Sequence, residues 1–310
     1  MFICGSKFLV ALELAIKVDV DTERGTRIGV PNLLRLFDEF NIKATFLFSL
    51  GPDNTGRAIK RVFRRGFLGK VTRSNVVATY GLRTLLNGVL LPGPHIGRRN
   101  ASVMRAARDA GHEVGIHCYD HVRWQDGLAA MSPEEVDSEF AKAGTEFERV
   151  FGMPARTAGA AGWQANAHSL AAYDDARLDY ASDARGASAF FPRIGARVFR
   201  TLQIPTTLPT LDELLGRPKY PHDQLVEKYL SWLRSDRPNV LTAHAEIEGM
   251  ARLDWFRGFL ELARKRSVQV VRLDEIAARL LRTPSAIAVC DLVQEEIDGR
   301  SGTLAVQRCV

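Results

Sequence analysis

The stretch LELAIKVDVDTERGTRIGVPNLLRLFDEFNIKATFLFS, residues 12–49, decides the fold class. Its first part, LELAIKVDV, alternates in the manner of a β-strand. VPNLLRLFDEF then repeats leucine and phenylalanine at helical spacing after Pro31, and ATFLFS follows as a second strand. A strand, a helix and a further strand in this order predict a βαβ unit with parallel strands.

The same alternation continues along the chain. A helix is predicted in NASVMRAARDAG, a strand ending at His117, and a long helix that opens with a capping box at Ser132, Pro133 and Glu135 and ends at Gly152. Further strands are predicted in RTAGAA, DYASD, TLQIPTT, NVLTAH and VQVVRL, with helices over 224–233, 252–265 and 274–281. This repetition predicts an α/β barrel or a doubly wound sheet.

Composition places the chain among soluble globular proteins. It has 310 residues, 46% apolar and 25% charged, and no uncharged apolar run long enough to span a bilayer. Charged residues interrupt the N-terminal apolar run, which favours a short tail entering the first strand over a secretory signal. The four cysteines form no CxxC pair, so we expect no disulfide framework and a reducing, cytoplasmic setting. They are Cys4, Cys118, Cys290 and Cys309.

A basic segment interrupts the pattern. Residues 54–108 contain no Asp or Glu but twelve Lys and Arg, and large apolar residues lie between these charges, which predicts contact with an anionic membrane surface. The contact residues would be Arg57, Arg61, Arg64, Arg65 and Arg73. The alternatives are a partly buried helical hairpin and a nucleic-acid groove, although the sequence contains no nucleic-acid-binding motif.

Polar residues follow three of the predicted strands, in DVDT, HCYDH and LTAHAEIEG. The carboxyl ends of parallel strands meet at one edge, so these residues are expected to lie together. Asp19 and Asp21 share a side of their strand and repel unless a cation or proton lies between them. His117 and His121, four apart, also share a face and could bind a metal. The structural alternatives are a helix-capping Asp, surface histidines and a hydrogen-bonded core His244.

These motifs resemble those of the metal-dependent polysaccharide deacetylases, carbohydrate esterase family 4, which share a distorted (β/α) barrel. Longer stretches, among them GHEVGIHCYDHVRWQ and QIPTTLPTLDE, are similar in order over residues 12–281 to the deformylase branch of that family. The resemblance implies one domain over residues 1–283 with an insertion at 54–97. No role is predicted for the C-terminal tail, residues 284–310.

The resemblance to the deformylase branch also implies an activity and partners. The activity would be removal of formate from a formamido sugar, by an enzyme peripheral to the cytoplasmic face of the inner membrane. The partners would be a polyprenyl-phosphate-linked sugar substrate and an anionic inner-membrane surface, with no nucleic acid. The alternatives are a deacetylase of N-acetylated glycan or peptidoglycan and a non-catalytic basic module that binds lipid or nucleic acid.

The resemblance assigns roles to individual residues. Asp21, His117 and His121 would bind one divalent metal ion, for which Zn, Mn and Co remain open. Asp19 would be the base that activates water, and His244 the acid that protonates the departing amine. The family pattern has adjacent aspartates, whereas Val20 separates them here, so the base and ligand roles could be exchanged.

Four further residues are expected around this site. The stretch AGAAGW lacks the arginine that the family places beside the base, and Arg185 is predicted to orient the catalytic carboxylate instead. Asp183 would tune His244, and Trp163 would border the acyl pocket, with an oxyanion-binding backbone N–H near Gly162 and Trp163. Glu246 would line the pocket or support the residues that do, with a solvated charge as the alternative.

Overall fold

The computed structural model describes residues 12–58 and 81–309. The opening βαβ unit is confirmed as β1 (Glu13–Val20), α1 (Val30–Phe40) and β2 (Thr45–Ser49), with a π-helical turn at Gly25–Gly29 before α1. β1 and β2 are parallel. Seven of the eight β1 residues are buried, as expected for a central strand covered on both faces.

The later elements keep the alternation. The helices are α2 (Leu82–Leu86), α3 (Ile96–Asp109), α4 (His121–Gly127), α5 (Pro133–Phe151), α6 (Ala167–Asp175), α7 (Leu211–Leu214), α8 (Leu225–Trp232), α9 (Leu253–Lys265) and α10 (Leu273–Leu280). The strands are β3 (Glu113–Cys118), β4 (Thr157–Ala158), β5 (Tyr180–Ala181), β6 (Phe190–Ile194), β7 (Arg197–Val198), β8 (Leu202–Gln203), β9 (Val240–His244), β10 (Gln269–Val271), β11 (Ala288–Glu296) and β12 (Thr303–Arg308).

The strands form one curled sheet in the order β10-β1-β2-β3-β4-β5-β8-β6-β11-β12, with β9 also paired to β1. The pairs from β10 to β8, and β1 with β9, are parallel. The curl closes where the backbone N–H groups of Thr207 and Leu208 both donate to Val240 O. The α/β distorted barrel is therefore confirmed, and its parallel strands bring their carboxyl ends to one rim.

The predicted cap of α5 is also present. The Ser132 hydroxyl accepts from Glu135 N and the Glu135 carboxylate accepts from Ser132 N. The helix ends at Gly152, whose φ of 69° is a left-handed conformation that glycine adopts without steric cost.

The segment after residue 283 extends the sheet. β11 runs parallel to β6 and antiparallel to β12. This hairpin brings Cys290 and Cys309 together in a disulfide with a Cα–Cα distance of 4.5 Å. The expectation of no disulfide was wrong for this pair, because a separation of 19 residues conceals a hairpin in which the two cysteines become neighbours. Cys118 is a buried free thiol.

Part of the basic segment falls outside the described residues. Arg61, Arg64, Arg65 and Arg73 lie there, so their predicted membrane contact stays a prediction. Arg57 is described and exposed, and its Nε donates to Gly88 O at 3.0 Å. No helix within the described ranges has the length and apolar character to cross a membrane.

Candidate metal centre

Three predicted ligands meet at the carboxyl ends of the strands. Asp21 Oδ1 lies 3.2 Å from His117 Nε2 and 3.4 Å from His121 Nε2. The three ligand atoms all lie within 4.8 Å of one another. A single ion could therefore contact all three side chains.

A local irregularity in the sheet positions His117. Phe48 pairs with Ile116 and Ser49 with Cys118, so His117 is an extra residue on β3 at a shift in register. Its Nδ1 lies 2.6 Å from Gly159 O, a geometry for donating its proton to that carbonyl. This hydrogen bond leaves the Nε2 lone pair directed at Asp21, which is how proteins commonly orient a metal-binding imidazole.

His121 comes from a different element. It is the first residue of α4, whose N-cap is Asp120. The Asp120 carboxylate accepts from Arg123 N at 3.0 Å and from Asn54 Nδ2 at 2.7 Å. His117 and His121, four residues apart, therefore lie at the end of a strand and at the start of a helix, and not on one face of a single element.

Glu246 holds the loop that carries Asp21. Its Oε1 accepts from Asp21 N at 3.2 Å, Thr22 N at 2.9 Å and the Thr22 hydroxyl at 2.7 Å. A Cβ on Gly25 would lie 1.9 Å from the same oxygen, so this close approach requires glycine. Burial, and then the charge of Asp21, raise the pKa of Glu246 to about 8. Glu246 is 1% exposed and supports the loop from behind, which is the second of its two predicted roles.

The charge at this cluster fits a cation. Burial raises the pKa of Asp21, but His121 and His117 outweigh burial and hold it well below its usual range. Asp21 Oδ1 is buried and accepts no hydrogen bond from the described residues. One carboxylate and two imidazoles are ligands that divalent transition metals accept, so the residues present fit the predicted ion.

Asp19 lies beside a buried lysine that the sequence analysis missed. Lys17 is 0% exposed, and its Nζ lies 3.4 Å from Asp19 Oδ2 and donates to Ser182 O at 3.1 Å. Arg185, predicted for this place, instead donates to Glu213 Oε1 at 2.6 Å and to Leu208 O at 3.1 Å. The prediction for Arg185 was therefore wrong. The period-2 pattern of β1, which puts residues 17 and 19 on one face, was the signal for Lys17.

His244 lies directly opposite Asp19, since the two residues pair in register across β9 and β1. Its backbone N–H donates to Glu248 Oε2 at 2.7 Å, and its Nδ1 has no hydrogen-bond partner among the described residues. Burial alone would lower the pKa of His244, but nearby carboxylates, Asp212 foremost, outweigh burial and raise it. Glu248, the other acid beside it, has a pKa raised to about 7 by burial.

Asp183 does not tune His244 in the way predicted. Its carboxylate accepts from Ala160 N at 2.6 Å and from Gln203 Nε2 at 2.8 Å, and burial raises its pKa to about 6. Its hydrogen bond to Ala160 connects it to the loop before Trp163. Asp183 is thus a support for that loop.

Trp163 is a packing platform. Its indole is 3% exposed, Nε1 donates to Thr206 Oγ1 at 3.1 Å, and the cations of Lys17, Arg185 and Arg300 lie 4.6–5.5 Å from the ring centre. Its backbone N–H donates to Ala160 O and is therefore already used, while an oxyanion donor near Gly162 stays a prediction. Arg300, from the hairpin between β11 and β12, also bonds Glu213 Oε1 at 2.7 Å, which no sequence pattern indicated.

The distorted barrel and the cluster of one aspartate and two histidines define a class of protein. The polysaccharide deacetylase family model matches residues 20–181, slightly more than half of the chain. The chain belongs to the polysaccharide deacetylase family.

Two curated relatives are similar over nearly the whole chain. Both are named probable 4-deoxy-4-formamido-L-arabinose-phosphoundecaprenol deformylase ArnD. That of Shewanella sediminis (strain HAW-EB3) is 37% identical, covering 95% of this chain and 94% of the relative. That of Wigglesworthia glossinidia brevipalpis is 32% identical, covering 92% and 98%. The solved structure of a probable polysaccharide deacetylase from Pseudomonas aeruginosa PAO1, with a TM-score of 0.59 and 16% identity, covers 88% of this chain and 92% of its own and shares the fold.

Proposed function

We propose that this protein hydrolyses the formamide of 4-deoxy-4-formamido-L-arabinose linked to undecaprenyl phosphate. The products are formate and the free amino-sugar lipid, which would serve lipid A modification and polymyxin resistance. One observation carries the proposal: the full-length similarity to two deformylases coincides with an intact cluster of Asp21, His117 and His121 flanked by Asp19 and His244.

The ion would be held by Asp21, His117 and His121. We propose Zn, Mn or Co, since one carboxylate with two imidazoles suits each of them. When bound, a divalent cation supplies Lewis acidity, which polarises a carbonyl and favours deprotonation of water. The ligand sphere of three protein atoms would leave room for substrate.

Asp19 is proposed as the base. Its Oδ2 faces the Lys17 ammonium, while its Oδ1 is buried without a hydrogen-bond partner among the described residues. The free Oδ1 can therefore take the proton that water loses as it attacks the formyl carbon. Lys17 orients this carboxylate in place of the arginine that the family pattern puts there.

His244 is proposed as the acid. An amine leaves only once its nitrogen is protonated, so the reaction needs a donor on the side opposite the base. The raised pKa of His244 favours its imidazolium form, which is the form that can donate a proton. The proton that Asp19 takes and the proton that His244 gives balance the hydrolysis of one amide to formate and amine.

The lipid substrate implies work at a membrane. We propose a peripheral position on the cytoplasmic face of the inner membrane, with the basic segment of residues 54–97 facing anionic head groups. Arg57, exposed and free of any neighbouring acid in this segment, supports that orientation.

The test is formate release from the formamido-arabinose lipid by purified protein, before and after chelation and after add-back of Zn, Mn or Co. We expect formate that disappears on chelation and returns with metal, with no acetate from an acetamido analogue. Acetate from N-acetylated glycans and no formate would identify a deacetylase instead. Neither product, with metal bound by the native chain but not by His117→Ala, would indicate a non-catalytic module.

A further inference from the structure

A cluster of exposed apolar side chains lies at residues 82–91, here called the apolar rim loop. In the described part of the chain, five of the eight exposed large apolar residues fall within these ten positions. They are Leu82 (69% exposed), Leu86 (38%), Val89 (55%), Leu90 (75%) and Leu91 (40%). Such a concentration commonly marks an interaction site.

The apolar rim loop is an ordered turn. The backbone N–H groups of Val89, Leu90 and Leu91 all donate to Leu86 O, and Gly88 N donates to Leu91 O. These bonds satisfy the loop's own backbone. The turn therefore presents the exposed side chains of this loop at fixed positions.

This loop is attached to the rim that carries the metal ligands. Gly56 N donates to Asn87 O at 2.9 Å, and Arg57 Nε donates to Gly88 O at 3.0 Å. Nearby, Asn54 Nδ2 donates to the carboxylate of Asp120, the residue before His121. The segment of residues 54–57 thus connects the apolar rim loop to the start of α4 through three of its residues.

The stretch of sequence that contains the loop carries charge of one sign. Residues 54–108 contain no carboxylate, while Arg57, Arg83, Arg98 and Arg99 are exposed. An apolar loop with neighbouring guanidinium groups matches the interface of an anionic bilayer, where apolar groups enter the acyl boundary and cations meet phosphate.

We propose that the apolar rim loop inserts into the interface of an anionic bilayer and holds the metal centre's rim against the head groups. The arginines beside it contact lipid phosphates. This inference rests on the proposed function only in that the same bilayer would present the polyprenyl-linked substrate.

The test uses flotation of the full chain with vesicles of phosphatidylglycerol and phosphatidylethanolamine, and with phosphatidylcholine alone. The variant is Leu82→Gln with Leu90→Gln. The matched control is Val198→Gln with Val289→Gln, which removes exposed apolar side chains of β7 and β11 (49% and 45% exposed). We expect the leucine variant to bind anionic vesicles roughly tenfold more weakly or worse, with native melting and metal content, while the control binds as the native chain does.

Several results would overturn the proposal. These are failure of the native chain to bind anionic vesicles, equal binding to phosphatidylcholine, unchanged binding of the leucine variant, or equal loss in the control. Formate release from the same vesicles is measured in parallel. If binding behaves as expected but the native chain releases no formate, the proposed function fails and the membrane contact stands.

Discussion

The two ends of the barrel both bury carboxyl groups, but these groups differ in their hydrogen bonding. At the amino ends of the strands, Glu113 Oε2 accepts from the Thr45 hydroxyl, the Tyr180 hydroxyl and Asp274 N at 2.6–3.1 Å. At the carboxyl ends, buried oxygens of Asp19 and Asp21 have no hydrogen-bond partner in the described ranges. Buried carboxyl groups with hydrogen-bond partners stabilise a fold, whereas buried carboxylate oxygens without partners are available to bind a ligand or a proton.

The amino ends of the strands also border a cavity. A cavity of about 510 Å³ opens beside Glu113 and Tyr180, and none of the predicted metal ligands lines it. Its arginines are already paired, Arg156 with Asp179 and Arg272 with Asp274. The unsatisfied oxygens of Asp19 and Asp21, rather than the volume of a cavity, distinguish the end of the barrel that is proposed to be reactive.

The largest expected effect comes from removing the proposed base. Asp19→Asn should lower kcat by roughly 10²–10⁴-fold, because the amide cannot accept the proton of water. Metal content should remain stoichiometric, since Asp21, His117 and His121 are intact. Asp38→Asn, the same change on the exposed face of α1, is the control. Loss of metal in Asp19→Asn would instead make Asp19 a ligand and exchange the two aspartate roles.

Lys17→Met should have the next largest effect. The variant removes the cation from Asp19 while keeping most of the buried volume, so kcat should fall roughly 10–100-fold, as for other partners that orient a reactive group. KM and metal stoichiometry should change little, and Lys17→Arg should recover part of kcat. A variant with native kcat would show that Lys17 only fills space.

Two variants of Glu246 distinguish its hydrogen-bonding support of the Asp21 loop from the effect of its charge. Glu246→Ala removes three hydrogen bonds from the Asp21 loop and should weaken metal affinity roughly 10–100-fold. Glu246→Gln keeps an acceptor oxygen, and with a pKa of about 8 the native group is already mostly protonated at neutral pH. Its metal affinity, measured by competition with a chelator, should therefore stay near native. Equal losses in the two variants would contradict this account.

The smallest effect on activity is expected at the amino end. Burial raises the pKa of Glu113 from an ordinary 4.5 to about 7, so the folded chain keeps a proton that the unfolded chain loses. Native stability should therefore fall as pH rises from about 4.5 to 7, by up to about 3 kcal/mol.

Glu113→Gln should remove this dependence of the stability on pH. Relative to the native chain, its free energy of unfolding in urea should improve as the pH rises from about 4.5 to 7 and then level off, while kcat stays native. A difference independent of pH would contradict the raised pKa. A loss of kcat would contradict the separation of the two ends.

The sequence predicted that Asp21, His117 and His121 would cluster because each one adjoins the end of a strand in a repeating β-α pattern. It could not reveal the register shift at His117, which arises only when β2 and β3 pair. Arg185 was misassigned because its partner Glu213 is 28 residues away in a connection without a strong pattern. Lys17 was missed because a lysine within an apolar strand was read as an interruption of the pattern.

The C-terminal segment shows the same limit. β11 pairs with β12 and with β6, a strand that the sequence analysis did not predict. Only in this three-dimensional context do Cys290 and Cys309 meet and does Arg300 reach Trp163. Local sequence patterns could not predict contacts between elements that lie far apart in the sequence.

The register of Asp19 opposite His244 has a consequence for engineering this enzyme. The separation of these two residues is one inter-strand spacing, about 4.8 Å, and is set by backbone hydrogen bonds. Libraries that reshape the loops for a larger acyl group leave this distance unchanged. A one-residue insertion or deletion within β9 would instead turn His244 to the opposite face of the sheet. Selection for new substrates should therefore vary loop sequence freely and keep the length of β9 fixed.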